Sequence, residues 1–317
     1  MILMNTTVAR LVRLPHLRLI RISGADAPAF LQAQLSRRVD NLSPDSSALT
    51  GWHDARGRVR AVFRIVPTQD GFVLEAPADI ADQLISTLRM FVLRSAVQVE
   101  SDELQCAGLR LDSTQVQQAP PADGIRLPEV VDAIARSADG IAVKVTEDCW
   151  HVYAQDDVSI RDSVAECSAI VAAEIRAGLP HVGTATTVRY VPHMLNLDRL
   201  GALDFEKGCY PGQEVIARTQ HLGSVKRRAA AFEIREPVEL AKLVDTSHES
   251  AAALVDTPLV DAHGERVGEV LRAARDLDGS VALHAVVALA ATREPVFLAS
   301  TSGAALASIE PPPVAPQ

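Results

Sequence analysis

Residues 58–76 read RVRAVFRIVPTQDGFVLEA, two runs of alternating apolar residues joined at Asp70-Gly71. Residues 77–93, PADIADQLISTLRMFVL, follow with apolar positions at helical spacing behind a proline. Period-two alternation suits a pleated strand, Asp-Gly supplies the positive φ of a tight hairpin, and proline is tolerated in the first helical turn. The same order recurs at residues 140–154, GIAVKVTEDCWHVYA, and 159–178, SIRDSVAECSAIVAAEIRAG, where Gly178 stops the helix. Two strand-turn-strand-helix units predict an α+β body of two pseudo-duplicated, ferredoxin-like halves, each burying a helix face on an antiparallel sheet.

Upstream, LRLIRIS (17–23) alternates as a strand and a helix is expected from about Asp26. Between the two units, LDSTQVQQAPPADGIRLPEV (111–130) is rich in Gln, Pro and small residues and reads as a connector spanning about 112–138, with one short helix over EVVDAIARSA (129–138). The stretch from Thr184 to Gly223 reads as loops with a short helix. From Lys226 onward KRRAAAFEI, PLVDAHGERVGEVL and DLDGSVALHAVV are short strands cut by turns at His263-Gly264 and Asp278-Gly279. The expected division is a body over 1–225 made of two interleaved subdomains, a β-barrel over 226–310 and a loose tail, 311–317.

A chain of 317 residues exceeds the roughly 100 to 200 usual for one domain. A formal net charge of −9 argues against a protein that coats nucleic acid, because phosphate neutralisation needs excess Lys and Arg. The N-terminal MILMNTTVARLVRLPHL lacks a signal-peptide pattern and no run of about 18 apolar residues occurs, so a cytoplasmic, membrane-free protein is expected. Nothing in the sequence demands a dimer, and a monomer is expected.

Cys106, Cys149, Cys167 and Cys209 are widely spaced and never form CxxC, so neither a zinc cage nor a disulfide framework is expected. Cys106 and Cys149 lie in strand-like alternation and Cys167 on a helical stretch, where a thiol packs as a small hydrophobe. Cys209 differs. In FEKGCYPGQE (205–214) it stands between glycines, two residues after Lys207 and just ahead of a helix-forming run. A helix N-terminus and a nearby ammonium both favour thiolate over thiol. A loop whose glycines serve only a turn is the competing reading. His193 and His221 are the histidines of this region, and sequence distance alone does not make either a base for the thiol. Arg218, Lys226, Arg227 and Arg228 form a basic cluster able to hold a carboxylate or phosphate, or simply to keep a strand edge soluble. In GWHDARGR (51–58), a Gly-flanked polar turn, Asp54 and Arg58 are candidates to face a ligand.

KGCYPGQE, with EIRAGLP (174–180), VPHMLNLDRLGALDFEKGC (191–209), VIARTQHLGSVKRR (215–228), FLQAQLS (30–36) and DARGR (54–58), resembles the YgfZ family of folate-binding proteins, which is related to the aminomethyltransferase, or T-protein, of glycine cleavage. The resemblance runs from about Leu17 into the C-terminal barrel. It implies three subdomains around a central channel that binds tetrahydrofolate or another reduced folate. It also implies a role in making or repairing iron–sulfur client proteins, and through one of these an indirect role in tRNA methylthiolation, without direct nucleic-acid binding. The family's motif lysine and cysteine fall on Lys207 and Cys209, and its Tyr, Gln and Glu on Tyr210, Gln213 and Glu214; Arg218 follows in the same segment.

Two departures bear on the chemistry. Aminomethyltransferases carry an Asp-Asp pair where this chain has Ala61 and Val62, so their one-carbon chemistry lacks its carboxylate here. The T-protein's pterin-holding Arg-x-Glu-Ala-Gly stands here as Glu174-x-Arg176-Ala177-Gly178, with the charges exchanged. A carboxylate that accepts from a pterin's amino and ring N–H groups is the expected recognition device, which makes Glu174 the candidate, with Arg176 beside it. Three functions follow: a folate-binding factor with a reactive Cys209, a one-carbon transferase using Asp54 as its substitute acid, or a scaffold for client proteins.

Overall fold

The computed structural model describes residues 10–112, 122, 124–234, 254–293, 295–299 and 305–309. The predicted loose tail, the first nine residues and most of the Gln- and Pro-rich connector lie outside them.

Along the chain run β1 (Leu11–Arg13), β2 (Leu17–Ser23), α1 (Ala27–Gln34), β3 (Ala48–His53), β4 (Val59–Thr68), β5 (Gly71–Pro77) and α2 (Ala81–Arg89). Then come β6 (Gln98–Ser101), β7 (Gln105–Arg110), β8 (Ile134–Arg136), β9 (Gly140–Lys144), β10 (Cys149–Ala154), β11 (Ile160–Arg161), α3 (Val164–Arg176) and α4 (Gln213–Leu222). The last segment holds β12 (Arg227–Ile234), β13 (Pro258–Val260), β14 (Arg266–Arg275), β15 (Val281–Ala288), β16 (Val296–Leu298) and β17 (Ala305–Ile309).

Both expected hairpins form, β4 with β5 and β9 with β10. The first belongs to a five-stranded sheet in the order β3-β4-β5-β2-β6, and the second to a six-stranded sheet in the order β11-β1-β7-β10-β9-β8. One face of the first sheet buries Ile20, Ile22, Phe63, Ile65 and Leu74 against Phe30 and Leu31 of α1 and Leu84 and Leu88 of α2. Its other face brings Leu19, Val66 and Val73 against Val12, Val143 and Tyr153 of the second sheet.

The strands after β11 close a barrel in the order β12-β15-β14-β13-β16-β17, completed by the β12–β17 pair. Closure removes the open edges that separate short strands would expose. Its interior holds Phe232, Leu259, Val270, Val281, Leu283 and Val287. Helix α3 is the hinge of the architecture. Ser163 caps it by accepting from the Glu166 N–H, and Gly178, at φ 73°, ends it in the left-handed region where a glycine costs nothing. Ile170 packs on the two sheets, while Val171, Ala172 and Ile175 pack on Ala231, Ala274 and Ala282 of the barrel.

Two local expectations are corrected. EVVDAIARSA is not a helix: Asp132 sits at φ 68°, which breaks helical propagation, and Ile134–Arg136 pair with β9 instead. GWH of GWHDARGR is the end of strand β3 and not part of the turn, which is confined to the residues after it.

Candidate functional site

The two sheets, α3 and the barrel meet at a polar centre. His151 on β10 is buried with its Nδ1 2.7 Å from Oε2 of Glu75 on β5 and its Nε2 2.8 Å from Oε1 of Glu174 on α3. Tyr153 donates to the same Glu75 oxygen at 3.0 Å, and Arg272 on β14 donates to Oε2 of Glu174 at 2.7 Å. Both ring nitrogens face carboxylates, so both must donate and the ring is an imidazolium. Burial opposes that charge, but Glu75 and Glu174 outweigh it and push the His151 pKa up to about 9. Burial likewise opposes ionisation of Glu174, and Arg272 and His151 overcome it, holding the carboxyl well below the usual range. Carboxylate, imidazolium, carboxylate and guanidinium thus alternate through the interior, the arrangement in which buried charges are tolerable.

This chain of charges forms part of the wall of a hollow, together with Leu17, Val62, Arg64, Leu179 and His181. Counted to its open mouth the hollow spans about 440 Å³, but the room in which a water molecule can sit is only about 50 Å³. A water needs roughly 10–15 Å³ of such room, so a few waters fit, whereas small-molecule sites commonly run to several hundred Å³.

None of residues 205–214 lines this hollow, although Tyr210 packs in the cluster that holds Val62 of its wall. Cys209 is exposed and is not among the residues lining this hollow. Cys106 and Cys149 are buried and Cys167 is half-buried: burial raises the first two well above the ordinary value and takes Cys167 to about 11. Lys207 does not extend toward solvent. Its Nζ is buried and donates to the carbonyls of Leu35 at 2.6 Å and Arg37 at 2.9 Å, and burial lowers its pKa to about 8. It pins the loop to the residues after α1. Tyr210 is buried under the Lys207 ammonium, 5.4 Å from Nζ to ring centroid, with no hydrogen bond to its hydroxyl among the described residues. Gln213 Nε2 reaches the Lys207 carbonyl at 3.5 Å. Glu214 and Arg218 pair with each other at 2.9 Å in solvent, a contact of little energetic weight.

Asp54 is used by its own turn, where Oδ1 accepts from the N–H groups of Arg56 and Arg58 at 2.9 and 2.8 Å. That turn abuts the cysteine loop. Gly212 is at φ 76°, and a Cβ there would meet the Asp54 carbonyl at 2.5 Å and Gly57 Cα at 2.7 Å. Arg176 turns away from the hollow into Glu233, Asp276 and Ser280 of the barrel side, tying α3 to β12 and the β14–β15 turn. Arg228 of the basic cluster is held by Asp198 through two bonds of 2.9 and 2.8 Å. His193 pairs with Gln220 at 3.0 Å. Of the sequence candidates, Glu174 is the one that lines the central hollow, beside Val62, which stands where aminomethyltransferases carry an Asp. Among the described residues no group of three or more His, Cys, Asp or Glu side chains could hold a metal ion, and no helix is long and apolar enough to cross a membrane.

Sequence reading missed Glu75, His151 and Arg272. The available signal was a charged or polar residue at a strand position whose neighbours are all apolar, as in FVLEAP and CWHVYA.

Two interlocked sheets and a terminal barrel define an aminomethyltransferase-like fold. The glycine cleavage system aminomethyltransferase T of Bartonella henselae superposes with a TM-score of 0.68 at 18% identity, covering 95% of this chain and 85% of that one. Within that fold, the chain is similar over most of its length to proteins of the YgfZ family. It is 29% identical over 291 residues to the tRNA-modifying protein YgfZ of Edwardsiella ictaluri, covering 87% of this chain and 84% of the relative. It is 25% identical over 289 residues to the protein of the same name from Colwellia psychrerythraea, covering 88% and 85%. No family model matches the chain.

Proposed function

We propose that this protein is a cytoplasmic, monomeric folate-binding factor that helps assemble or repair iron–sulfur client proteins and supports tRNA methylthiolation through them. The observation that carries the reading is the exposure of Cys209: of four cysteines it is the one left in solvent, on a loop that buried Lys207 and Tyr210 anchor. A thiol so held can meet a partner protein's surface. The relatives' shared name, tRNA-modifying protein, points the same way.

Aminomethyl transfer is the weaker reading. Val62 presents only methyl groups to the central hollow and Asp54 is occupied by its own turn. The chemistry of Glu174 suits the N–H edge of a reduced pterin, yet both its oxygens are engaged and the hollow is too small for the ring system as it stands.

The test is complementation. In cells lacking their own copy, Cys209→Ser should fail to restore iron–sulfur enzyme activity and methylthio-modified tRNA, while Cys167→Ser should restore both. Full restoration by Cys209→Ser would remove the thiol from the function.

A further inference from the structure

Strand β14 does not run regularly across the barrel. Its pairing with β15 shifts between Val270 and Arg272, leaving Leu271 as an extra residue in the ladder. In a regular strand residues two apart share a face, and Val270 lies in the barrel core, so Arg272 would point there too. A bulge re-aims the side chains beyond it. Leu271 packs in the cluster that holds Val62 and Tyr210, and Arg272 reaches Glu174 at the central hollow.

A guanidinium and the 2-aminopyrimidinone edge of a pterin offer a carboxylate the same thing: adjacent N–H donors on one planar, delocalised N–C–N unit. We propose that Arg272 is a built-in stand-in for ligand, occupying Glu174 Oε2 at the cavity wall with a guanidinium N–H where the amino group of a 2-aminopyrimidinone edge would donate, while His151 holds Oε1. A ligand of that class then binds only as Arg272 withdraws. The ligand's class rests on the folate reading above; the latch rests on the bulge and the ion pair.

A neighbouring group agrees with a closed form that leaves capacity unused. Directly across the ladder from Arg272, His284 is buried with neither ring nitrogen hydrogen-bonded among the described residues. Burial, and then the Arg272 charge, keep it neutral, with a pKa of about 4. His181, on the cavity wall, is neutral for the same two reasons.

The probe is isocytosine, which carries the 2-aminopyrimidinone edge and nothing else of a folate, with uracil, lacking the amino group, as control. At millimolar concentration isocytosine should raise the Tm of Arg272→Ala by about 3 °C or more, leave wild type unmoved, and uracil should move neither. Equal shifts in both chains, or none in the variant, overturn the proposal. If Arg272→Ala does not fold, Arg272→Met, which keeps the apolar stem, carries the same comparison. Titration with 5-formyltetrahydrofolate separates the two readings. Binding about tenfold tighter to the variant than to wild type supports the latch. Equal binding overturns it and leaves folate in place. Binding to neither chain, with isocytosine rescue intact, removes folate and keeps the latch for a smaller ligand with the same edge.

Discussion

His151 Nε2 lies 2.8 Å from Glu174 Oε1, joining the second sheet to the helix on which the barrel rests. Because Glu75 closes on the other ring nitrogen, the folded state holds a proton that the unfolded chain releases near pH 6.5. Folding therefore takes up a proton between that value and about 9, and stability that is full below pH 6.5 falls as pH rises through about 9. The shift corresponds to something of the order of 3 kcal/mol. Glu75 and Glu174, both depressed, act in the opposite direction and are lost as pH falls below about 4.5. Lys207, lowered to about 8, adds stability as pH rises above that value and blunts the alkaline loss. His16, His53, His181 and His284, kept neutral by burial with pKa values of about 3 to 4, act oppositely, adding stability as pH rises toward 6.5, and offset the His151 loss in a whole-protein curve. The assignment is therefore read from nitrogen-15 shifts at pH 7.5, which should show both His151 nitrogens protonated. A neutral ring at that pH would contradict the assignment.

The cysteine loop and the DARGR turn meet at a glycine. Gly212→Ala must place a Cβ against three backbone atoms closer than any real contact, at a positive φ that alanine disfavours. A loss of about 2–3 kcal/mol is expected, together with faster proteolysis of the loop. Gly208→Ala meets nothing within 4 Å and should unfold like wild type. Similar urea midpoints for the two variants would show that the two loops are not packed as described.

The hairpins at Asp70-Gly71 and near residue 147, the capped helix α3 and the barrel strands were legible because alternation, turn residues and caps are local signals. β1 was not, since three residues carry no period, and β8 was misread because its helical spacing ends at the left-handed Asp132. The polar centre depends on sequence-distant strands meeting across a sheet-to-sheet interface. Glu75 and His151 are 76 positions apart, and no local pattern states that they touch. Arg272 was hidden further, because its direction follows from a bulge that strand alternation does not announce. Glu174 could be proposed from a resemblance, whereas its partners could not.

Arg176 was expected beside a ligand and instead serves as a clamp. Its guanidinium bonds Glu233, Asp276 and Ser280, and Arg110 from β7 meets the same Asp276 at 2.8 Å. Arg176→Met leaves two largely buried carboxylates with one cation fewer. Since the site is partly open to solvent, a loss of about 2 kcal/mol is expected rather than the larger figure for a sealed pair. Isothermal titration with 5-formyltetrahydrofolate should be unchanged, provided wild type binds it. A stable variant with lost folate binding would return Arg176 to the ligand site.

Exposure should sort the four thiols under native conditions. Burial raises the pKa of Cys106 and Cys149, which are hidden as well as protonated at neutral pH, and takes that of the half-buried Cys167 to about 11, so it too is protonated. Alkylation depends on thiolate and on access together, and Cys209 alone is exposed. Brief iodoacetamide treatment at pH 7.5 should therefore give a single adduct, mapped to Cys209 by peptide mass, with the others labelled only after denaturation. Lys207→Met removes the two bonds to Leu35 and Arg37 and should loosen the loop, speeding labelling at Cys209 without adding a second adduct. Native labelling of Cys106 or Cys149 at a comparable rate would mean that the two-sheet interior opens on its own, and the buried ion-pair centre built around His151 would have to be abandoned.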